Sequence, residues 1–152
     1  MRTVDFHVHV YPPEVIRDAE LISKHEPYFD RLTHSKVHRW GTIDDLLARM
    51  EEEGVDRAVI GGFAFKDLEL CKLCNNYVLS GIRQHPDKLS GLCLVPPLAR
   101  GASEEILRCA EAGAIGVGEL FPEGQNVDIS DQEQTWRLAG VLHEVNLCVL
   151  WH

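Results

Sequence analysis

Apolar and polar positions follow two rhythms along this chain. Val4, Phe6, Val8 and Val10 alternate with Asp5, His7 and His9. That two-residue period predicts a strand over residues 3–10. Tyr11-Pro12-Pro13 closes it, because proline cannot donate to a ladder. Near-continuous apolar runs at 55–62, 89–95, 114–120 and 146–152 predict four further strands of the buried kind. Helical spacing fills the gaps. Ile43, Leu46, Leu47 and Met50 follow Thr42-Ile-Asp-Asp45, a capping box with Asp in place of Glu, and Gly54 ends that helix. Leu70, Cys71, Cys74, Tyr77, Val78, Gly81 and Ile82 form one stripe over 67–84, and Pro86 forces the exit. Ser103 is the expected N-cap of a helix over 103–112, with Gly113 after it. Ser130-Asp-Gln-Glu133 is a capping box opening a helix to about residue 145.

Strands alternating with amphipathic helices predict an α/β fold, a parallel sheet covered by helices with right-handed crossovers. Two architectures compete, an open doubly wound sheet and a parallel (β/α) barrel of TIM type. No Gly-x-Gly-x-x-Gly turn follows the first strand, which weakens the dinucleotide-binding form of the open sheet. In a barrel, functional residues gather at the C-terminal ends of strands. His7 and His9, Glu119, and His152 all occupy that place. The connection over 14–40, with His25, Tyr28, Phe29, His34, His38, Arg39 and Trp40, reads as a partly helical flap over a substrate site.

Composition narrows the class. The chain has 152 residues, 45% hydrophobic and 26% charged, which suits one globular unit with a core. A formal net charge of −9 argues against nucleic-acid or anionic-membrane partners. No apolar run approaches the roughly 20 residues of a spanning helix. The immediate first strand leaves no room for a signal peptide, so a cytoplasmic protein is expected. The five cysteines, Cys71, Cys74, Cys93, Cys109 and Cys148, read as buried reduced thiols. Cys71-Lys-Leu-Cys74 has no second pair at zinc-finger spacing, so core packing is its expected role.

The chemistry centres on Asp5-Phe-His7-Val-His9. On a strand His7 and His9 project to one face and can share a divalent metal. On a helix they would lie roughly 200° apart and could not. Asp5 is expected to orient the strand or the neighbouring imidazole. His85 and His143 are expected to be structural and surface residues.

Asp5-Phe-His7-Val-His9, Gly54-Val-Asp-Arg-Ala-Val-Ile, Asn76 with His85-Pro86-Asp-Lys-Leu, and Gly116-Val-Gly-Glu119-Leu together resemble the amidohydrolase-related superfamily. The amidohydrolase-2 group, which includes aminocarboxymuconate-semialdehyde decarboxylase relatives, is the most similar. The resemblance implies that residues 1–152 are the N-terminal part of a (β/α)8 barrel, truncated after its fifth strand. It implies a divalent ion, zinc by expectation, held by His7, His9, Glu119 and His152, with Glu119 also serving catalysis. In the complete form this is a hydrolase using metal-activated water on an amide, ester or lactone. The alternatives are a metal-dependent decarboxylase of an unsaturated carboxylate, and an inactive half-barrel that binds a metal or partner. The expected partners are a small-molecule substrate, and either a second copy or a missing C-terminal half, since the edge at 147–151 is apolar and unpaired.

Overall fold

A computed structural model describes residues 2–152. Among these residues the sheet has five parallel strands: β1 (Val4–His9), β2 (Arg57–Gly61), β3 (Leu89–Cys93), β4 (Gly116–Leu120) and β5 (Cys148–Trp151). They lie in chain order, each hydrogen-bonded to the next. That order decides between the two architectures. A doubly wound sheet reverses direction at a switch point, whereas a barrel adds every strand on the same side. The sheet also curls. A Cβ built on Gly61 of β2 would come within 3.3 Å of the Gly118 carbonyl of β4, although β3 lies between them. The result is a half-barrel with helices on its outer side.

The helices start and stop where local chemistry dictates. Three short ones, α1 (Pro13–Arg17), α2 (Ala19–Ser23) and α3 (Pro27–Thr33), make up the flap. For α4 (Ile43–Glu53), both halves of the Thr42–Asp45 capping box are formed, and Gly54 takes the left-handed conformation at φ 69°. For α5 (Leu68–Gln84), Asp67 accepts the N–H groups of Glu69 and Leu70. Two expected caps are displaced. Before α6 (Ala102–Glu111) the cap is Gly101 at φ 93°, so Ser103 lies inside the helix. After the short α7 (Pro122–Gln125), α8 (Gln132–Glu144) is capped by Asp131, while Ser130 donates its hydroxyl to Asp128. Both serines compete with a neighbour better placed to turn the chain.

The core lies between the sheet and its helices. Ile60, Leu89 and Val117 from the strands meet Val78 and Ile106 from α5 and α6, all essentially inaccessible to solvent. The flap joins this core. Phe29 of α3 is fully buried and touches Tyr11, Trp40, Phe63 and Phe65 at centroid distances of 4.9–6.5 Å. Burying one such ring is worth about 1.5–3 kcal/mol, so the flap is anchored rather than merely draped. Among the described residues no helix is long and apolar enough to cross a membrane.

Cys71, Cys74, Cys93 and Cys109 are buried, but Cys148 is exposed because β5 is an edge strand. Burial pushes the Cys74 thiol up to about 12 and raises Cys71 as well, so neither is a thiolate at neutral pH. The Cys-x-x-Cys pair is core packing.

Candidate metal centre

His7 and His9 stand on the same face of β1, with ring centroids 4.9 Å apart. Glu119 reaches them from β4. Its Oε2 lies 3.2 Å from Nε2 of His7 and 3.4 Å from Nε2 of His9. Ligand atoms of these three residues all fall within 4.8 Å of one another. His152, just past β5, donates Nδ1–H to the other carboxylate oxygen, Oε1, at 2.7 Å. The structure therefore brings together all four residues singled out from sequence. His152 contacts Glu119 rather than joining the group of three.

Each member is oriented by its neighbours. The carbonyl of Gly62 can only accept, so His9 Nδ1 carries the proton and donates to it at 2.7 Å. Nε2 of a neutral His9 is then a bare acceptor facing the carboxylate oxygen. Two acceptors 3.4 Å apart repel each other unless a proton or a cation lies between them. Two imidazoles and a carboxylate are also the donor types that zinc prefers. The donor set thus fits a divalent ion held by His7 Nε2, His9 Nε2 and Glu119 Oε2. Gly118 makes the approach of Glu119 possible. Its φ is +134°, and a Cβ there would collide with the backbone carbonyl of Leu150. Asp5 accepts the His7 backbone N–H at 3.3 Å.

A cavity of about 590 Å³ opens beside the cluster, with His9, Glu119 and His152 in one wall. The flap lines it through Tyr28, Arg31, Ser35, His38 and Arg39, with Phe63 and Phe121 among the remaining lining residues. Phe121 packs edge-on against His152 at 4.8 Å and against Tyr28 at 4.8 Å. The Arg31 guanidinium lies over the Tyr28 ring at 5.0 Å. Burial lowers the pKa of His38, and the charge of Arg39 acts in the same direction. His38 is therefore neutral at pH 7.

The flap histidines divide. His38 and Arg39 line this cavity, whereas His25 is exposed and His34 bonds its own helix at the Asp30 carbonyl. His34 lines a larger recess of about 950 Å³ formed by the flap helices and Trp40, which contains none of the cluster residues. Volume is a poor guide here, and the convergent polar groups mark the smaller cavity. Sequence reasoning missed Arg31 and Ser35. Arg31, one turn after Tyr28 on α3, was within reach of a helical-spacing argument, whereas Ser35 lies past the end of that helix and carried no such signal.

The sequence model of the amidohydrolase family matches residues 4–152. No curated protein sequence matches the chain significantly. Among solved structures, the chain is similar to the 5-carboxyvanillate decarboxylase of Novosphingobium aromaticivorans, determined with manganese and 4-hydroxy-3-methoxy-5-nitrobenzoic acid. That likeness has 18% identity and a TM-score of 0.78, over 97% of this chain and 49% of that one. It is also similar to 4-oxalomesaconate hydratase of Rhodopseudomonas palustris, at 18% identity and TM-score 0.67, over 97% and 51%. A third similar structure is the apo IDCase of Metarhizium anisopliae, at 16% identity and TM-score 0.75, over 99% and 50%. The chain thus spans about half the length of these structures.

Proposed function

The chain belongs to the amidohydrolase family, and from that premise we propose that it supplies one side of a divalent-metal site acting on a small carboxylate-bearing substrate. The observation that supports this most directly is the meeting of His7, His9 and Glu119, from strands over a hundred residues apart in sequence, within 4.8 Å. Residues 1–152 are then the N-terminal part of a (β/α)8 barrel. The favoured reaction of the complete barrel is hydrolysis of an amide, ester or lactone. A bound ion supplies Lewis acidity toward a carbonyl and makes water more acidic at neutral pH.

The chain's own residues have distinct parts in this reading. His9, pinned by the Gly62 carbonyl, presents Nε2 in a fixed direction. Glu119 offers Oε2 to the ion and, held at Oε1 by His152, is the candidate to hold or release a proton. His152 remains the fourth member of the proposed ligand set. As placed it orients the carboxylate, and direct coordination requires its ring to turn from Oε1. Arg31 and Arg39 give the flap wall positive charge for a substrate carboxylate, and Phe63, Phe121 and Tyr28 give it flat apolar surface that excludes water. We propose zinc as the ion. Manganese, present in the decarboxylase structure, is the competitor.

A decarboxylase is the second reading, favoured by the cationic flap wall and by the decarboxylase among the similar structures. A half-barrel that binds metal or a partner without turnover is the third. Elemental analysis of the purified chain tests the shared premise. About one zinc or manganese per chain is expected, falling to background in His7→Ala and His9→Ala. Equal metal content in wild type and both variants would sink the proposal. Assays on simple esters, lactones and aromatic carboxylates, with the C-terminal half of a relative supplied in trans, separate hydrolysis from decarboxylation and from no reaction.

A further inference from the structure

We infer that Glu26 is a positioning residue for His9, acting through the β2–α5 loop; the inference rests on the metal reading above. Glu26 lies in the flap between α2 and α3, yet its carboxylate is only 4% exposed. Burying a carboxylate is costly unless it is hydrogen-bonded. Glu26 is satisfied by backbone. Lys66 N–H donates to both of its oxygens at 3.1 Å, and Asp67 N–H donates to Oε1 at 3.0 Å.

Those donors show what is being held. The start of α5 has its own cap, since the Asp67 carboxylate already takes the N–H groups of Glu69 and Leu70 at 2.7 and 3.0 Å. Glu26 engages the two residues just before that helix, so it fixes the loop rather than the helix. The same loop is gripped from the other side. Buried Gln125 donates Nε2–H to the Phe65 carbonyl at 3.1 Å and to the Val95 carbonyl at 3.0 Å. At the start of this short clamped segment stands Gly62, whose carbonyl receives His9 Nδ1–H. The next two residues, Phe63 and Ala64, face the cavity.

The flap is therefore connected to a candidate ligand by hydrogen bonds at the two ends of one short stretch of backbone, from Glu26 to Lys66 and Asp67 at one end and from the Gly62 carbonyl to His9 at the other. Loss of the Glu26 carboxylate frees the loop, lets the Gly62 carbonyl drift, and leaves the His9 tautomer unspecified. Removing partners that orient metal-bound imidazoles commonly costs about 10–100-fold in metal affinity. Glu26 acts one step further out, so the low end of that range is expected.

The test compares Glu26→Gln with Glu105→Gln. Glu105 is an equally buried carboxylate, 3% exposed, in a separate network with Asn75 and Arg108. It serves as the control for general loss of stability. Two quantities are read on folded protein: Co²⁺ affinity by absorbance titration, and the His9 Nδ1–H resonance by ¹⁵N–¹H correlation. Glu26→Gln should weaken Co²⁺ binding about tenfold and broaden or shift that resonance, while Glu105→Gln changes neither. Unchanged affinity and an unchanged resonance in folded Glu26→Gln overturn the inference, as does an equal effect in Glu105→Gln. If Glu26→Gln does not fold, Glu26→Asp takes its place and should fall between wild type and His9→Ala; an affinity equal to wild type overturns the inference there too. Failure of the wild type to bind any divalent ion would sink the metal reading itself, and the resonance would still decide whether Glu26 positions His9.

Discussion

The middle of the sheet and its two edges obey different rules. In β2 and β3 nearly every residue is buried, and four of the five in β4. In β1 and β5 no residue is fully buried, and Val4 and Phe6 are 52% and 60% exposed. Yet His7 and His9 belong to β1 and His152 follows β5, while β2 and β3 lend the cluster only the Gly62 carbonyl just past β2. The middle supplies the packing and the edges supply the chemistry. Glu119 joins the two, projecting from the buried β4 toward the edge histidines. On the apolar face of β1, Val4 and Phe6 are exposed while Val8 packs against the core, so the alternating pattern is correct in period but only partly in burial.

The contrast predicts a descending series of effects. Phe65→Ala strikes the packed interior beside the middle strands, in the loop after β2, where the ring is fully buried against Phe29 and Phe63. It should cost about 3–5 kcal/mol in urea unfolding. His9→Ala strikes the edge. It should weaken metal binding by at least about 100-fold, or about 2.7 kcal/mol, with little change in the urea midpoint of the metal-free protein.

Thr42→Ala removes half of the capping box on α4 and should cost about 1 kcal/mol at pH 7. The Thr42 side chain and backbone hydrogen bonds hold the Asp45 pKa below the usual aspartate range. Its contribution is therefore present above the ordinary aspartate pKa and is lost as pH falls through the depressed value. The cost of Thr42→Ala should shrink in acid, which urea titrations at several pH values would detect. Phe6→Ser, on the open face of β1, should change stability by less than about 0.5 kcal/mol. A cost above 2 kcal/mol would mean that face is covered in solution and would erase the distinction between edge and middle.

Much of this arrangement was legible in the sequence because it depends on local spacing. His-x-His on an alternating strand must present both rings to one side, and strand ends in a barrel share one rim, so His7, His9, Glu119 and His152 were readable from three short stretches. The caps at Thr42 and Gly54 were readable for the same reason. Ser103 and Ser130 were each misplaced by a neighbour, Gly101 with its positive φ and Asp131 with a stronger acceptor. Cys148 looked buried because an apolar run does not reveal whether its strand is central or terminal in the sheet. Glu26 and Gln125 were invisible. Their partners are backbone groups 30 to 60 residues away, and backbone partners leave no trace in residue identity.

The consecutive strand order also bears on how the molecule is made. Each strand pairs with the one before it, and the paired positions are 53 residues apart for Val4 and Arg57 but only 24 for Leu92 and Gly116. A chain leaving the ribosome amino end first therefore never waits for a distant segment. Every new unit meets a finished template, and the longest wait, across the flap, comes first. Hydrogen-exchange labelling of stalled nascent chains would register this as protection of β2 amides before β5 has been synthesised.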